Sequence, residues 1–189
     1  MASPSTERRR RPVSVAHYLE AEEDSPIKHE FVEGFVYAMS GARNVHNTIA
    51  LNIQAGLLAR LRGKECQAFN SDTKVRLQLG SGVRFYYPDA QVVCKPNSQD
   101  DVFQDQPVAV FEVISPRTRR VDEGEKKDAY LTIPSLAIYV IVEHACPQVI
   151  AFRRSEKGFL REEYTGLNAL LPLPELKMEL PLGEIFERV

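Results

Sequence analysis

The chain has no tryptophan, only three cysteines, and a net charge of just −2. It also lacks any apolar run long enough to cross a bilayer. A spanning helix needs about 20 consecutive apolar residues. The longest run here is LAIYVIV, residues 136–142, which reads as a buried strand, so no membrane association is expected. The N-terminal stretch MASPSTERRRRPVSVAHYLE has an arginine run with no apolar segment behind it. A secretory signal needs that segment, so the expectation is a cytoplasmic protein. Cys66, Cys94 and Cys146 are widely spaced and match neither a zinc site nor a disulfide frame. Free cysteines tend to be buried, so reduced, buried thiols are expected. With so little net charge, a nucleic-acid ligand would have to meet a local basic patch. Missing tryptophan counts against a sugar site, and so against a glycosidase built on two carboxylates.

What is present is the make-up of one globular domain. The 189 residues suffice for a sizeable core, and 43% hydrophobic with 26% charged residues is an ordinary folded balance. Residues 1–12 are polar, charged and closed by Pro12; they read as a disordered tail. Residues 13–189 show no internal repeat or dividing linker and read as a single domain.

The periodicities give an order of elements. Ser14 is a candidate cap for a first helix to Glu23. KHEFVEGFVYAM (28–39) alternates around Glu33-Gly34, as a hairpin does. Val45, Ile49, Ile53, Leu57 and Leu61 recur at helical spacing, predicting a long helix over 44–61. Strands are predicted at 65–70, 73–79 and 86–94, then a polar loop at 95–107. VAVFEVIS (108–115) is apolar at nearly every position, as in a strand buried on both faces. A helix from about Asp122 to Thr132 follows, ended near Pro134, and LAIYVIVE (136–143) is the next strand. Strand, helix, strand over this length predicts a βαβ unit with parallel strands. A hairpin at 149–165 and a short helix near Leu182 complete the chain. The fold class is α/β, with a mixed central sheet flanked by helices.

Glu112 is the outlier in this pattern. A charge inside VAVFEVIS costs several kcal/mol to bury unless it is paired. Asp89 lies at the head of another strand, and Lys126 and Lys127 lie on the helix after Glu112. Two carboxylates at strand ends can hold a hard divalent cation through oxygen. The cation and a lysine can then stabilise charge on a phosphate. Lys126 shares a helix face with Ala129, Tyr130 and Ile133, whereas Lys127 points elsewhere, so Lys126 is the candidate. Its bland role is an ion pair with Asp122 on a solvated face. Arg117, Arg119 and Arg120 follow Glu112 and are candidates for phosphate contacts. Glu30 and His46 are weaker candidates.

The order of these motifs carries a resemblance. HEFVEGFVYAMSGARNVHN, SDTKVRL, YYPDAQVVC and FEVISPRTRRVDEGEKKDAYLTIPSLAIYVIVE together resemble the Uma-two family of endonucleases. That family lies within the PD-(D/E)XK, restriction-endonuclease-like superfamily. The resemblance runs from Val13 to Val189. It implies a restriction-endonuclease-like core, a divalent metal (magnesium, with manganese as a substitute) and DNA as substrate. Asp89 matches the PD aspartate, Glu112 the second acidic motif, Glu30 the glutamate of the N-terminal hairpin and His46 the histidine after it. The lysine usual two residues after the glutamate is Ile114 here, which can neither position water nor neutralise charge; Lys126 looks like its migrated replacement. The expected metal ligands are Asp89, Glu112 and the backbone carbonyl of Val113. The expected catalytic set is Asp89, Glu112, Lys126 and Glu30, with His46 accessory. A homodimer is expected by analogy with enzymes that cut both strands. The alternative is an inactive nucleic-acid-binding or interaction module on the same fold.

Overall fold

The computed structural model describes residues 11–115, 119 and 121–189. Residues 1–10, the bulk of the expected tail, lie outside the described residues, as do Arg117 and Arg120. The helices are α1 (Val15–Glu23), α2 (Asn44–Leu61), α3 (Lys127–Tyr130) and α4 (Leu182–Ile185). The strands are β1 (His29–Val32), β2 (Phe35–Ala38), β3 (Gln67–Asn70), β4 (Lys74–Leu79), β5 (Gly82–Tyr86), β6 (Ala90–Val93) and β7 (Phe103–Gln104). After them come β8 (Pro107–Ile114), β9 (Ile138–Glu143), β10 (Gln148–Ser155), β11 (Gly158–Thr165), β12 (Leu170–Leu173) and β13 (Met178–Pro181). The fold is mixed α/β.

Local chemistry explains the elements that matter for the site. Ser14 caps α1 by accepting from the His17 N–H. Glu33 and Gly34 both take positive φ, 51° and 96°, as a two-residue turn between twisted strands requires. A β-carbon on Gly34 would also stand 2.6 Å from that of Pro12. Helix α2 buries Ile49, Ile53, Leu57 and Leu61, four residues apart on one face.

The strands form a five-stranded sheet in the order β2-β1-β5-β4-β7 and a six-stranded sheet in the order β11-β10-β9-β8-β6-β3. β12 and β13 pair separately. One core lies between the six-stranded sheet and α2, α4, β12 and β13, where Phe111, Val113, Val140 and Leu57 meet. A second joins the two sheets through Val75, Tyr86, Val110, Tyr139 and Tyr130. A third packs α1 on the five-stranded sheet through Tyr18, Phe31, Phe85 and Phe103. β8 and β9 pair in parallel, as the βαβ reading expects.

Three expectations change. The strand expected at 86–94 is two strands in different sheets, β5 and β6, broken at Tyr87-Pro88-Asp89. Pro88 has no N–H for a ladder, so the chain turns there from one sheet to the other. The helix expected from Asp122 to Thr132 is two short pieces, Val121–Lys126 and α3, with non-helical Gly124 (φ −106°, ψ −105°) between Glu123 and Glu125. The thiols are not all reduced and buried. Cys66 and Cys94 form a disulfide with Cα atoms 3.9 Å apart, and Cys146 is exposed. The cause is register: Gln67 pairs with Val93 across β3 and β6, which brings the next residues outward face to face.

Reduction should therefore loosen edge strand β3. Cys94→Ser should lose about 2–4 kcal/mol of stability, read as a lower urea midpoint. Dithiothreitol should shift the wild type to the variant's midpoint, and coincident midpoints without reductant would rule the bridge out.

Candidate active site

The break at Pro88 builds the site. β6 runs antiparallel to β8 with Ala90 opposite Phe111, so Asp89, one residue earlier, stands across from Glu112. The Val113 N–H donates to Asp89 Oδ2 at 2.7 Å, which fixes the carboxylate at the sheet end. From the start of α2, His46 Nε2 reaches the same oxygen at 3.3 Å. Burial works against charge on His46, yet the hydrogen bond and charge of Asp89 outweigh it and raise the imidazole pKa.

Lys126 is the centre of the charged floor. Its Nζ lies 2.7 Å from Glu30 Oε1, 3.4 Å from Glu112 Oε1 and 3.6 Å from Asp122 Oδ1. Glu112, Asp122 and Lys126 are 4%, 5% and 6% exposed, so little solvent screens these interactions. Burial pushes the Glu112 carboxyl well above the usual range; Lys126 opposes this, while Asp122, Asp89 and Glu30 add to it. For Lys126, burial opposes the charge, but Glu112, Glu30 and Asp122 together raise its pKa above the ordinary lysine value. The ammonium also sits 5.4 Å from the centre of the Tyr86 ring. The Tyr139 hydroxyl donates to the Asp122 backbone carbonyl at 3.0 Å and anchors the helical piece that carries Lys126. Arg84 steadies the same piece, pairing with Glu125 at 3.0 Å and with Glu33 in the hairpin turn at 2.5 Å.

The floor opens into a cavity of about 510 Å³ whose lining includes His46, Asp89, Glu112, Val113, Asp122 and Lys126. The structure thus brings together Asp89, Glu112, Val113, Lys126 and His46. Glu30 joins through Lys126 and does not line the cavity. Lys127 faces away, pairing with Asp128 and lying over Phe152. Arg119 is not a free cation for phosphate, because Glu123 and Glu143 hold it at 2.5 and 2.6 Å. Asp122 is a site residue the sequence reading left as a surface ion-pair partner. Its spacing to Lys126 was the available signal, but Gly124's kink, which sets the local path, was not.

Among the described residues no group of three or more His, Cys, Asp or Glu side chains is arranged to hold a metal ion. The donors at hand are still carboxylate oxygens. Magnesium is commonly held by one or two carboxylates plus water and substrate phosphate. The donor chemistry of Asp89 and Glu112 fits that pattern.

Keeping Glu112 here costs stability. Its folded-state pKa is raised, so the folded protein holds the proton longer than the unfolded chain. Stability contributed by Glu112 is present below the ordinary value of 4.5 and is lost as pH rises from there through the raised value, at about 1.4 kcal/mol per pKa unit. Glu112→Gln removes this loss. In chelator, its urea midpoint should exceed that of wild type at neutral pH, and the gap should close toward pH 4; a lower neutral midpoint would contradict the assignment.

Comparisons with known proteins agree with this architecture. A family model described as "Putative restriction endonuclease", Uma2, matches residues 15–183. The protein slr1290 of Synechocystis sp. is 31% identical over 147 residues, 77% of this chain and 76% of that one. The protein sll1609 of the same organism is 27% identical over 170 residues, 88% of this chain and 95% of that one. A crystal structure from Anabaena variabilis, described as a "putative nuclease belonging to DUF820", superposes with a TM-score of 0.70 at 16% identity. The match covers 93% of this chain and 98% of that one, and it shows a shared fold. With its family model spanning both sheets and every residue of the charged floor, this chain belongs to the Uma2 family.

Proposed function

We propose that the protein is a magnesium-dependent DNA endonuclease that hydrolyses phosphodiester bonds at the floor of the cavity. The observation that carries this reading is the convergence of Asp89, Glu112 and Asp122 with the Lys126 ammonium in one cavity. Family membership supports nuclease activity.

Asp89, Glu112 and the Val113 carbonyl would hold the ion, with manganese as a substitute. When bound, it supplies Lewis-acid charge for the phosphate oxygens and acidifies water. The chain's own groups do the rest. The Val113 N–H and His46 fix the Asp89 carboxylate. Glu30 and Asp122 hold the Lys126 ammonium in place. Lys126 would orient the attacking water or stabilise charge building on the phosphate. In this reading Glu30 acts by positioning Lys126.

A cytoplasmic location belongs to the same proposal. The Cys66–Cys94 bridge pulls the other way, since disulfides are rare in reducing compartments. No helix among the described residues is long and apolar enough to cross a membrane. A homodimer is proposed only for cutting both strands of a duplex.

The test is a cleavage assay on single-stranded, double-stranded and branched DNA with magnesium or manganese. Asp89→Ala and Glu112→Ala should abolish cleavage while the proteins stay folded by circular dichroism. Lys126→Met should lower the rate by about a hundredfold or more. Full activity in either alanine variant, or in excess chelator, would overturn the mechanism. Binding of DNA without cleavage under any metal would favour the inactive-module reading.

A further inference from the structure

Strand β2 is an outer strand of the five-stranded sheet, paired on one side with β1. From Phe35 to Ala42 the sequence FVYAMSGA carries no charge. Phe35 and Tyr37 are 38% and 50% exposed although both are large aromatic residues. An open strand edge is a template for a further strand unless something guards it, such as charge, proline or shortness. The other outer strands among the described residues are guarded. β11 carries Arg161, Glu162 and Glu163, and β3 exposes the polar Gln67 and Asn70. β7 is two residues long, and β12 and β13 hold Pro172 and Pro181. β2 has neither charge nor proline.

The hairpin ladder shows which backbone groups β2 leaves over. Val32 pairs with Phe35 beside the two-residue turn, and the Met39 N–H donates to the Lys28 carbonyl at 2.8 Å. Bonded and non-bonded pairs alternate along an antiparallel ladder. Phe35, Tyr37 and Met39 therefore bond to the β1 side, while Val36 and Ala38 turn their N–H and C=O groups outward. The space beside them is open, with Val13, Gly34, Phe35, Val36 and Ala38 along it. The chain before α1 fastens to the turn, where the Val13 N–H donates to the Gly34 carbonyl at 2.9 Å.

From this we infer that the β2 edge is a dimer interface, on which a second copy of this chain lays its own β2 antiparallel and makes the two five-stranded sheets continuous. A two-fold axis beside Tyr37 sets Val36 opposite the partner's Ala38, Ala38 opposite the partner's Val36, and the two Tyr37 rings across from each other. The edge is its own complement. Each copy offers outward donors and acceptors at the same two positions, and an uncharged row meets an uncharged row. Aromatic side chains also pair well across neighbouring strands. The chain's own N-terminus suits this row poorly, because nothing along it answers the charge of Arg8 to Arg11. The same register puts the partner's Phe35 opposite Met39, and Met39 lines the main cavity. The second copy thereby adds an aromatic ring at the rim of the candidate site, where thioether and ring attract each other. The interface follows from strand geometry and does not depend on the nuclease reading; it gives the homodimer proposed above a surface.

The test is analytical ultracentrifugation of the full chain over a range of concentrations, and wild type should be a reversible dimer. Tyr37 belongs to none of the three cores, so Tyr37→Lys should leave the fold intact by circular dichroism. It sets two ammonium groups opposite each other and should raise the dimer dissociation constant about tenfold or more. Ala38→Pro removes an outward N–H that β1 does not use and should give the monomer. Cys146 is a free, exposed thiol, so cross-linking is read in a Cys146→Ser background. There Tyr37→Cys should form a covalent dimer on oxidation, because the two thiols face each other across the axis. A wild type that stays monomeric at every concentration, a dimer that keeps its affinity in both Tyr37→Lys and Ala38→Pro, or a Tyr37→Cys chain that does not cross-link would each overturn the inference. So would a chain that dimerises only after residues 1–10 are removed, since that assigns the edge to the N-terminal segment. None of these outcomes depends on whether the protein cleaves DNA.

Discussion

The buried ammonium of Lys126 is what lets this site exist. Three carboxylates close together in a low-dielectric interior would repel one another and draw protons to relieve it. One cation at 2.7, 3.4 and 3.6 Å from Glu30, Glu112 and Asp122 makes their assembly tolerable. Much of the neighbouring structure serves to keep it there. The kink at Gly124 sets the path into Lys126, Tyr139 anchors the Asp122 backbone, and Arg84 ties the same segment to the first hairpin. The cluster still carries more negative than positive charge, which is the condition for attracting a further cation.

The second constraint is the corner at Tyr87-Pro88-Asp89. It moves the chain from one sheet to the other and leaves Asp89 at the seam. Tyr87 is fastened by its hydroxyl to Glu22 of α1 at 2.9 Å, and the same glutamate holds the His29 N–H at 2.7 Å. Helix α1 thus braces both the residue two before Asp89 and the residue just before Glu30. Glu22, which does not itself line the cavity, thus ties both stretches of chain to α1.

Where one physical rule governed a segment, the sequence alone revealed it. Helix α2 spans the predicted 44–61 because Ile49, Ile53, Leu57 and Leu61 leave only one way to bury that face. The Glu33-Gly34 turn was legible because few residue pairs accept positive φ twice. Glu112 stood out because its strand is apolar on both sides. What stayed hidden depended on long-range pairing. Nothing in GVRFYYPDAQVV says that its halves join different sheets, although Pro88 marked where a break would fall. The Cys66–Cys94 contact depends on the register of β3 against β6. Asp122 looked like a surface residue because the groups it meets, Glu112's partner Lys126 and the Tyr139 hydroxyl on its backbone carbonyl, come together only in the folded chain. β12 and β13 went unseen because LLPL and MELP are short and carry prolines.

The bridge between Cys66 and Cys94 has a topological effect. It closes a ring across a sequence separation of 28, and that ring contains β4, β5 and the Pro88 corner. Even when the surrounding layers come apart, the segment bearing Asp89 stays gathered in a covalent circle instead of trailing as open chain. One half of the acidic pair would therefore remain confined to a small volume, with fewer arrangements to search on the way back to its partner.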